Sequence, residues 1–147
     1  MIRVIVGNQP FQRAASLYIR YQVFVLERQI DRQDEFDGFD SDDRLYAVLY
    51  DGDQPVSTAR FLPTATDQAR LTRVATLSQY RGKGYAAQVI EALEQYAREQ
   101  AYKRLVIHSE ISAQSFYEGL GYQAFGEPYD EDGEPCQSVE NIYKRRI

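Results

Sequence analysis

The run Leu71-Thr72-Arg73-Val74-Ala75-Thr76-Leu77-Ser78-Gln79-Tyr80-Arg81-Gly82-Lys83-Gly84-Tyr85-Ala86 passes from a strand-like segment, through two glycines, directly into a long amphipathic stretch. A strand that becomes a helix in this way leaves the first helical N–H groups without partners, and glycine lets an anion approach them. Phosphate is the expected guest. Each negative charge at a helix N-terminus gains roughly 0.3–1 kcal/mol from the dipole, and Arg81 and Lys83 supply cations beside it. The helix that follows reads as 83–101. Ala86, Val89, Ile90, Leu93, Tyr96 and Ala97 fall on one side and Gln88, Glu91, Gln95 and Arg98 on the other, so it should lie on a sheet.

The rest of the chain supplies that sheet. Apolar segments of strand length occur at 2–6, 45–50, 56–62, 71–77, 104–108, 122–126 and 138–143. Asp51-Gly52-Asp53 reads as a tight hairpin between two of them. A helix is expected over 11–28, with Phe11, Ala14, Ala15, Tyr18, Tyr21 and Val25 as its buried stripe and Pro10 in its first turn. Another is expected over 112–120, capped by Ser112 and stopped at Gly119-Leu120-Gly121. The order β-α-β-β-β-α-β-α-β-β, without repeats or linkers, describes one α/β domain over 1–147. No apolar run approaches the ~18 residues that span a bilayer, and the lone Cys136 cannot form an internal disulfide. A cytoplasmic location is expected, with neither a membrane nor a metal site.

Charge is unevenly spread. The net charge of −5 argues against nucleic acid as a partner. Seven carboxylates lie between Asp31 and Asp43 against one base, and five lie between Glu127 and Glu134 with none. Residues 68–90 are the reverse, with Arg70, Arg73, Arg81 and Lys83 and no acid, which suggests an anion site in an acidic protein. Two phosphate ligands can be set aside. Gly82-x-Gly84-x-x-Ala87 fits the dinucleotide pattern, but some 70 residues precede it and Arg104 stands where a ribose-binding acid belongs. The nucleoside triphosphate pattern G-x-x-x-x-G-K-[ST] does not occur.

Arg81-x-x-Gly84-x-Ala86 and, downstream, Ala113-Gln114-Ser115-Phe116-Tyr117-Glu118-Gly119-Leu120-Gly121-Tyr122 resemble the two signature blocks of the GNAT family of N-acetyltransferases. The N-terminal half, with Arg20-x-x-Val23-Phe24-Val25-x-Glu27, Glu35-x-Asp37-x-x-Asp40, Ala59-Arg60 and Arg73, is similar to the ElaA-like bacterial branch and to acyl-homoserine-lactone synthases. The resemblance implies the GNAT fold: a mixed, mostly antiparallel twisted sheet of about six to seven strands flanked by helices. It also implies acetyl-CoA as cosubstrate and a small-molecule or peptide amine as acceptor, in a monomer or homodimer.

By the same resemblance, Val74, Ala75 and Thr76 should run beside the pantetheine arm. The N–H groups of Arg81, Gly82, Lys83, Gly84, Tyr85 and Ala86 should grip the pyrophosphate, and Glu110 should touch the cofactor where the family has Asn or Gln. Tyr117 should lie near the sulfur and protonate the leaving thiolate. Three candidates remain open for the base that deprotonates the amine: His108, Glu35 and an ordered water. Cys136 stands where the ElaA-like branch often has His; it is either an acyl-accepting nucleophile or a packed thiol. If both acidic stretches flank the acceptor groove, they would attract a cationic amine. A lactone synthase and a non-catalytic acyl-CoA sensor are the alternatives; the Arg-Gly-x-Gly-x-Ala loop argues for free CoA rather than a carrier protein.

Overall fold

Strand β2 (Leu45–Asp51) is buried throughout from Tyr46 to Tyr50, as a strand must be when helices cover both faces of its sheet. A computed structural model describes residues 1–143 and shows why. The strands β1 (Ile2–Gly7), β2, β3 (Gln54–Ala65), β4 (Gln68–Thr76), β5 (Arg104–Glu110), β6 (Gln123–Ala124), β7 (Tyr129–Glu131) and β8 (Glu134–Ile142) form one sheet. Its order is β1-β2-β3-β4-β5-β8-β6, with β7 also on β8. Every pairing is antiparallel except β4 with β5, whose crossover is helix α3 (Tyr85–Glu99). The eighth strand exceeds the expected six to seven. It comes from the β7–β8 hairpin, which turns at Asp132 (φ 52°) and Gly133 (φ 85°).

Alternate residues of β3 show which helix covers which face. Phe61 meets Tyr96 of α3 edge to face with centroids 5.2 Å apart, together with Tyr102 at 5.1 Å. Thr58 points the other way and donates to Ser16 (2.8 Å) on helix α1 (Pro10–Arg20). The α3 side is the apolar core, where Val89, Ile90, Leu93 and Ala97 are fully buried, as the periodicity predicts.

Helix α1 departs from its sequence reading. Its buried face is Gln12, Ser16, Ile19 and Arg20, one residue out of phase with the expected stripe, while Phe11 and Tyr18 are exposed. The sheet beneath is itself polar, so the helix buries hydrogen-bonding groups. Gln12 donates to the Ile5 carbonyl (2.7 Å) and accepts from the Tyr50 hydroxyl (2.6 Å). The expected single helix over 11–28 also changes character after Arg20: Tyr21–Glu27 is π-helical, with Arg28 N–H bonding the Val23 carbonyl. Two further short helices frame the site, α2 (Arg32–Glu35) and α4 (Gln114–Gly119).

Candidate active site

The site begins where two strands separate. β4 and β5 are in register only from Gln68–Arg104 to Arg70–Val106, after which their facing edges have no strand partner. On its other side β4 carries an extra residue. Thr72 pairs with Arg60 and Ala75 with Thr58, so Arg73 and Val74 together oppose Ala59. Arg73 sits there at φ 54°, a left-handed conformation that a non-glycine residue holds only when its surroundings enforce it. A cavity of about 730 Å³ opens in the gap. β4 contributes Arg70 to Val74, β5 contributes Ile107 to Glu110, and Tyr117 enters from α4.

A buried ion-pair network enforces the bulge. Arg20, fully buried, bonds Glu35 (3.0 Å) and Asp40 (2.8 and 2.9 Å). Arg60 bonds Asp37 (2.8 and 3.0 Å), Asp40 (3.1 Å) and Thr72 (3.0 Å). Arg73 reaches Glu35 (3.1 Å) and Asp37 (3.2 Å). Three members of the first acidic stretch are therefore structural partners of arginines. Glu35 lines the cavity, but its Oε2 is shared between Arg20 and Arg73. Burial raises its pKa, and Arg73 and Arg20 pull it back. Of the remaining acids, Asp31 and Asp34 and, from the β7–β8 hairpin, Glu131, Asp132 and Glu134 line the cavity, whereas Asp42, held by Arg13 (2.7 Å), Asp43, Glu127 and Asp130 do not.

His108 and Tyr117 also line the cavity. Burial and then the Arg70 cation lower the His108 pKa, and Glu131 opposes them. The residue is exposed at the cavity, and the downward shift favours the neutral ring. Tyr117 is 8% exposed, and burial, followed by Glu110, pushes its pKa up to about 12. Its hydroxyl keeps its proton across the physiological range. Cys136 is buried, its Sγ 3.5 Å from the Glu134 carbonyl, and burial plus surrounding carboxylates raise its pKa. Its side chain belongs to the cavity lining, and a buried thiol with a raised pKa favours the packed role over the nucleophilic one.

The glycine turn lies outside the cavity lining and has the character of a phosphate cradle. Gly82 and Gly84 both stand at φ 79°, and a Cβ built on either meets nothing within 4 Å. Among the described residues no N–H from Gly82 to Ala87 has a hydrogen-bond partner. Backbone donors beside open space suit a ligand diphosphate. The basic residues behave differently from their sequence reading. Arg81 is bound by Glu27 (2.6 and 2.7 Å) and donates to the Thr76 carbonyl (3.0 Å), so it fastens the turn to the π-helix. Lys83 lies 5.7 Å from the Tyr80 ring. Arg73 belongs to the network and Arg70 to the cavity, so residues 68–90 do not form one basic site.

Val74 lines the cavity; Ala75 is buried and Thr76 half-buried beyond it. Glu110 faces in as expected, but Arg28 holds it (2.5 Å), bridging the end of the π-helix to β5. Sequence reasoning missed Arg28, which no motif marks, and the separate place of Arg70 in the cavity wall, hidden in a run read as one anion site. The Asp132-Gly133 pair was a hairpin signal that could have placed the second acidic wall. Among the described residues no cluster of three His, Cys, Asp or Glu is arranged for a metal.

Known proteins resemble this chain in sequence and in fold. The chain is 56% identical over 106 residues to an uncharacterised acetyltransferase of Streptococcus pyogenes, covering 72% of this chain and 73% of that one. A Lactobacillus plantarum protein provisionally named an N-acetyltransferase superposes with a TM-score of 0.92 at 40% identity, covering 96% and 97% of the two chains. Escherichia coli ElaA shares the fold, with a TM-score of 0.82 at 24% identity over 95% and 99%. The family model described as the acetyltransferase (GNAT) domain matches residues 15–140, from within α1 to near the end of β8. That span takes in the parted strands, the glycine turn and the tyrosine of α4, and this chain belongs to the GNAT family of acetyltransferases.

Proposed function

We propose that the protein transfers an acetyl group from acetyl-CoA directly to a primary amine of a small molecule or peptide. The observation that carries this reading is the gap between β4 and β5, which aligns a left-handed bulge, His108 and Tyr117 along one cavity, with the open donors of the glycine turn following β4 in the chain. The N–H groups from Arg81 to Ala86 would hold the diphosphate, and the edge of Val74, Ala75 and Thr76 the pantetheine arm. Val74 has no register partner on either neighbouring strand. Its N–H is the natural donor to the thioester oxygen, where charge develops as the amine attacks.

His108 takes the proton that the amine must lose. An alkylamine with a reference pKa near ~10.4 is almost all ammonium at neutral pH, so a base that is already neutral there has an advantage. Glu35 is tied to two guanidinium groups and acts by holding Arg73 at the bulge. The C–S bond breaks as the tetrahedral oxyanion collapses, and the sulfur leaves as thiolate beside Tyr117. With its pKa near 12 the phenol binds that thiolate as a strong hydrogen-bond donor. Full proton transfer to a thiolate of reference pKa ~8.5 is uphill until the thiolate is itself desolvated. The two acidic walls attract the acceptor as a cation.

Thiol release from acetyl-CoA, followed over a panel of amines, amino acids and peptides, tests the reading. Turnover is expected with amines, with a Michaelis constant that rises with salt as the acidic walls are screened. Absence of binding heat with acetyl-CoA at millimolar concentration would refute it.

A further inference from the structure

Three arginines line the cavity, and two are paired: Arg28 with Glu110, and Arg73 with Glu35 and Asp37. Arg70 differs. Among the described residues it forms no ion pair, and its buried Nε has no hydrogen-bond partner. Glu131 acts on it only from beyond ion-pairing distance, and a half-buried guanidinium with no carboxylate in contact is costly to fold around, so its retention at a cavity wall calls for a ligand. Arg70 pairs in register with Val106 of the parallel strand, two residues before His108. Both side chains line the cavity, and the Arg70 cation is felt at His108, so the guanidinium and the imidazole can address adjacent groups of one small molecule.

We infer that the acceptor is an amino acid, with its carboxylate held by Arg70 and its reacting amine beside His108. Guanidinium and carboxylate match as planar, doubly hydrogen-bonded partners, which an amine lacking the acid cannot reproduce. Glu131 and Asp34, also in the cavity lining, suit a cationic side chain rather than the carboxylate. Arg70 is thus a specificity residue for the same reaction, and the inference rests on the acetyl-transfer reading.

The test compares amino acids with their decarboxylated counterparts: lysine with cadaverine, ornithine with putrescine, leucine with isoamylamine. Each is assayed by thiol release with the wild-type protein, Arg70→Lys and Arg70→Leu. The wild type is expected to favour the acid by at least about tenfold in kcat/KM, chiefly through KM, as loss of a charge-assisted pair implies. Arg70→Leu should abolish that preference, Arg70→Lys should restore part of it, and both should still bind acetyl-CoA. Arg70→Leu should also melt higher than the wild type, because it removes an unpaired buried group; an arginine kept for packing would melt lower. Equal turnover of acid and decarboxylated amine, a preference that survives in Arg70→Leu, or acetyl-CoA binding with no amine turned over each overturns the inference. Failure to bind acetyl-CoA overturns the acetyl-transfer reading first.

Discussion

His108 is the only histidine in the chain, and its surroundings decide what it can do. Burial and the Arg70 cation hold its pKa below the ordinary value of 6.5, against the pull of Glu131. The free base is the reactive form, so kcat/KM should rise as pH passes upward through that lowered pKa and be level at neutral pH. His108→Gln should remove this acid limb and reduce kcat by about 10²–10⁴, the usual worth of a positioned base. Glu35→Gln is the control. It loosens the anchor of Arg73, so its activity falls while the limb attributed to His108 stays in place. A pH-rate profile unchanged by His108→Gln but reshaped by Glu35→Gln would transfer the role of base to the carboxylate. Cys136 needs no part in either outcome, since its thiol is buried and its pKa is raised by burial and by Glu131.

The glycine turn works as an element, through backbone. At φ 79° an alanine in place of Gly84 takes on the left-handed penalty of roughly 1–2 kcal/mol, worth about 2–4 °C of melting temperature per kcal/mol in a chain of this size. Its methyl group meets no protein atom, so any larger effect must come from the ligand. Gly84→Ala should therefore melt only slightly lower but bind acetyl-CoA at least tenfold more weakly. Unchanged affinity, measured by calorimetry, would place the diphosphate elsewhere. This element was legible because its chemistry is local: strand, glycines and helix are consecutive in the chain, and Ala86 to Ala97 carry their period openly. Helix α1 was not, because its buried face is Gln12, Ser16 and Arg20, and hydrophobic periodicity cannot find a face that pairs with polar groups on distant strands. The bulge at Arg73 and the parting of β4 from β5 were invisible for a related reason. Both are mismatches between strands rather than properties of one. Tyr117 was readable from its motif, whereas the separation of Arg70 from Arg73 depended on which partners the fold brought to each.

Across the whole molecule, the network of Arg20, Arg60 and Arg73 with Glu35, Asp37 and Asp40 ties the loop after the π-helix to the inner strands and to the bulge at Arg73. Asp40 is its hinge: it bonds Arg20 and Arg60, and its Oδ1 accepts from the Tyr46 hydroxyl at 2.6 Å. Burial opposes its charge, but the bonds from Arg20 and Tyr46 win and hold its pKa well below the ordinary value. Asp37 is shifted the same way by Arg60 and the Phe39 N–H, again against burial. A carboxylate whose pKa is lower folded than unfolded gives stability that is fully present above the unfolded value and lost as pH falls toward the folded one. Glu35, shifted upward, has the opposite sign: its contribution is present at acid pH and fades as pH rises. The two aspartates should therefore dominate an acid loss of stability beginning below about pH 5. Asp40→Asn keeps the shape but leaves buried Arg20 short of charge, and breaking a buried pair costs about 3–5 kcal/mol, a large share of the ~5–15 kcal/mol that typically holds a domain. Urea unfolding between about pH 3 and pH 7 should show the variant far less stable at neutral pH, with the gap to wild type narrowing as the medium is acidified. Parallel curves at every pH would mean that Asp40 acts through shape, and that the arginines owe their burial to something other than its charge.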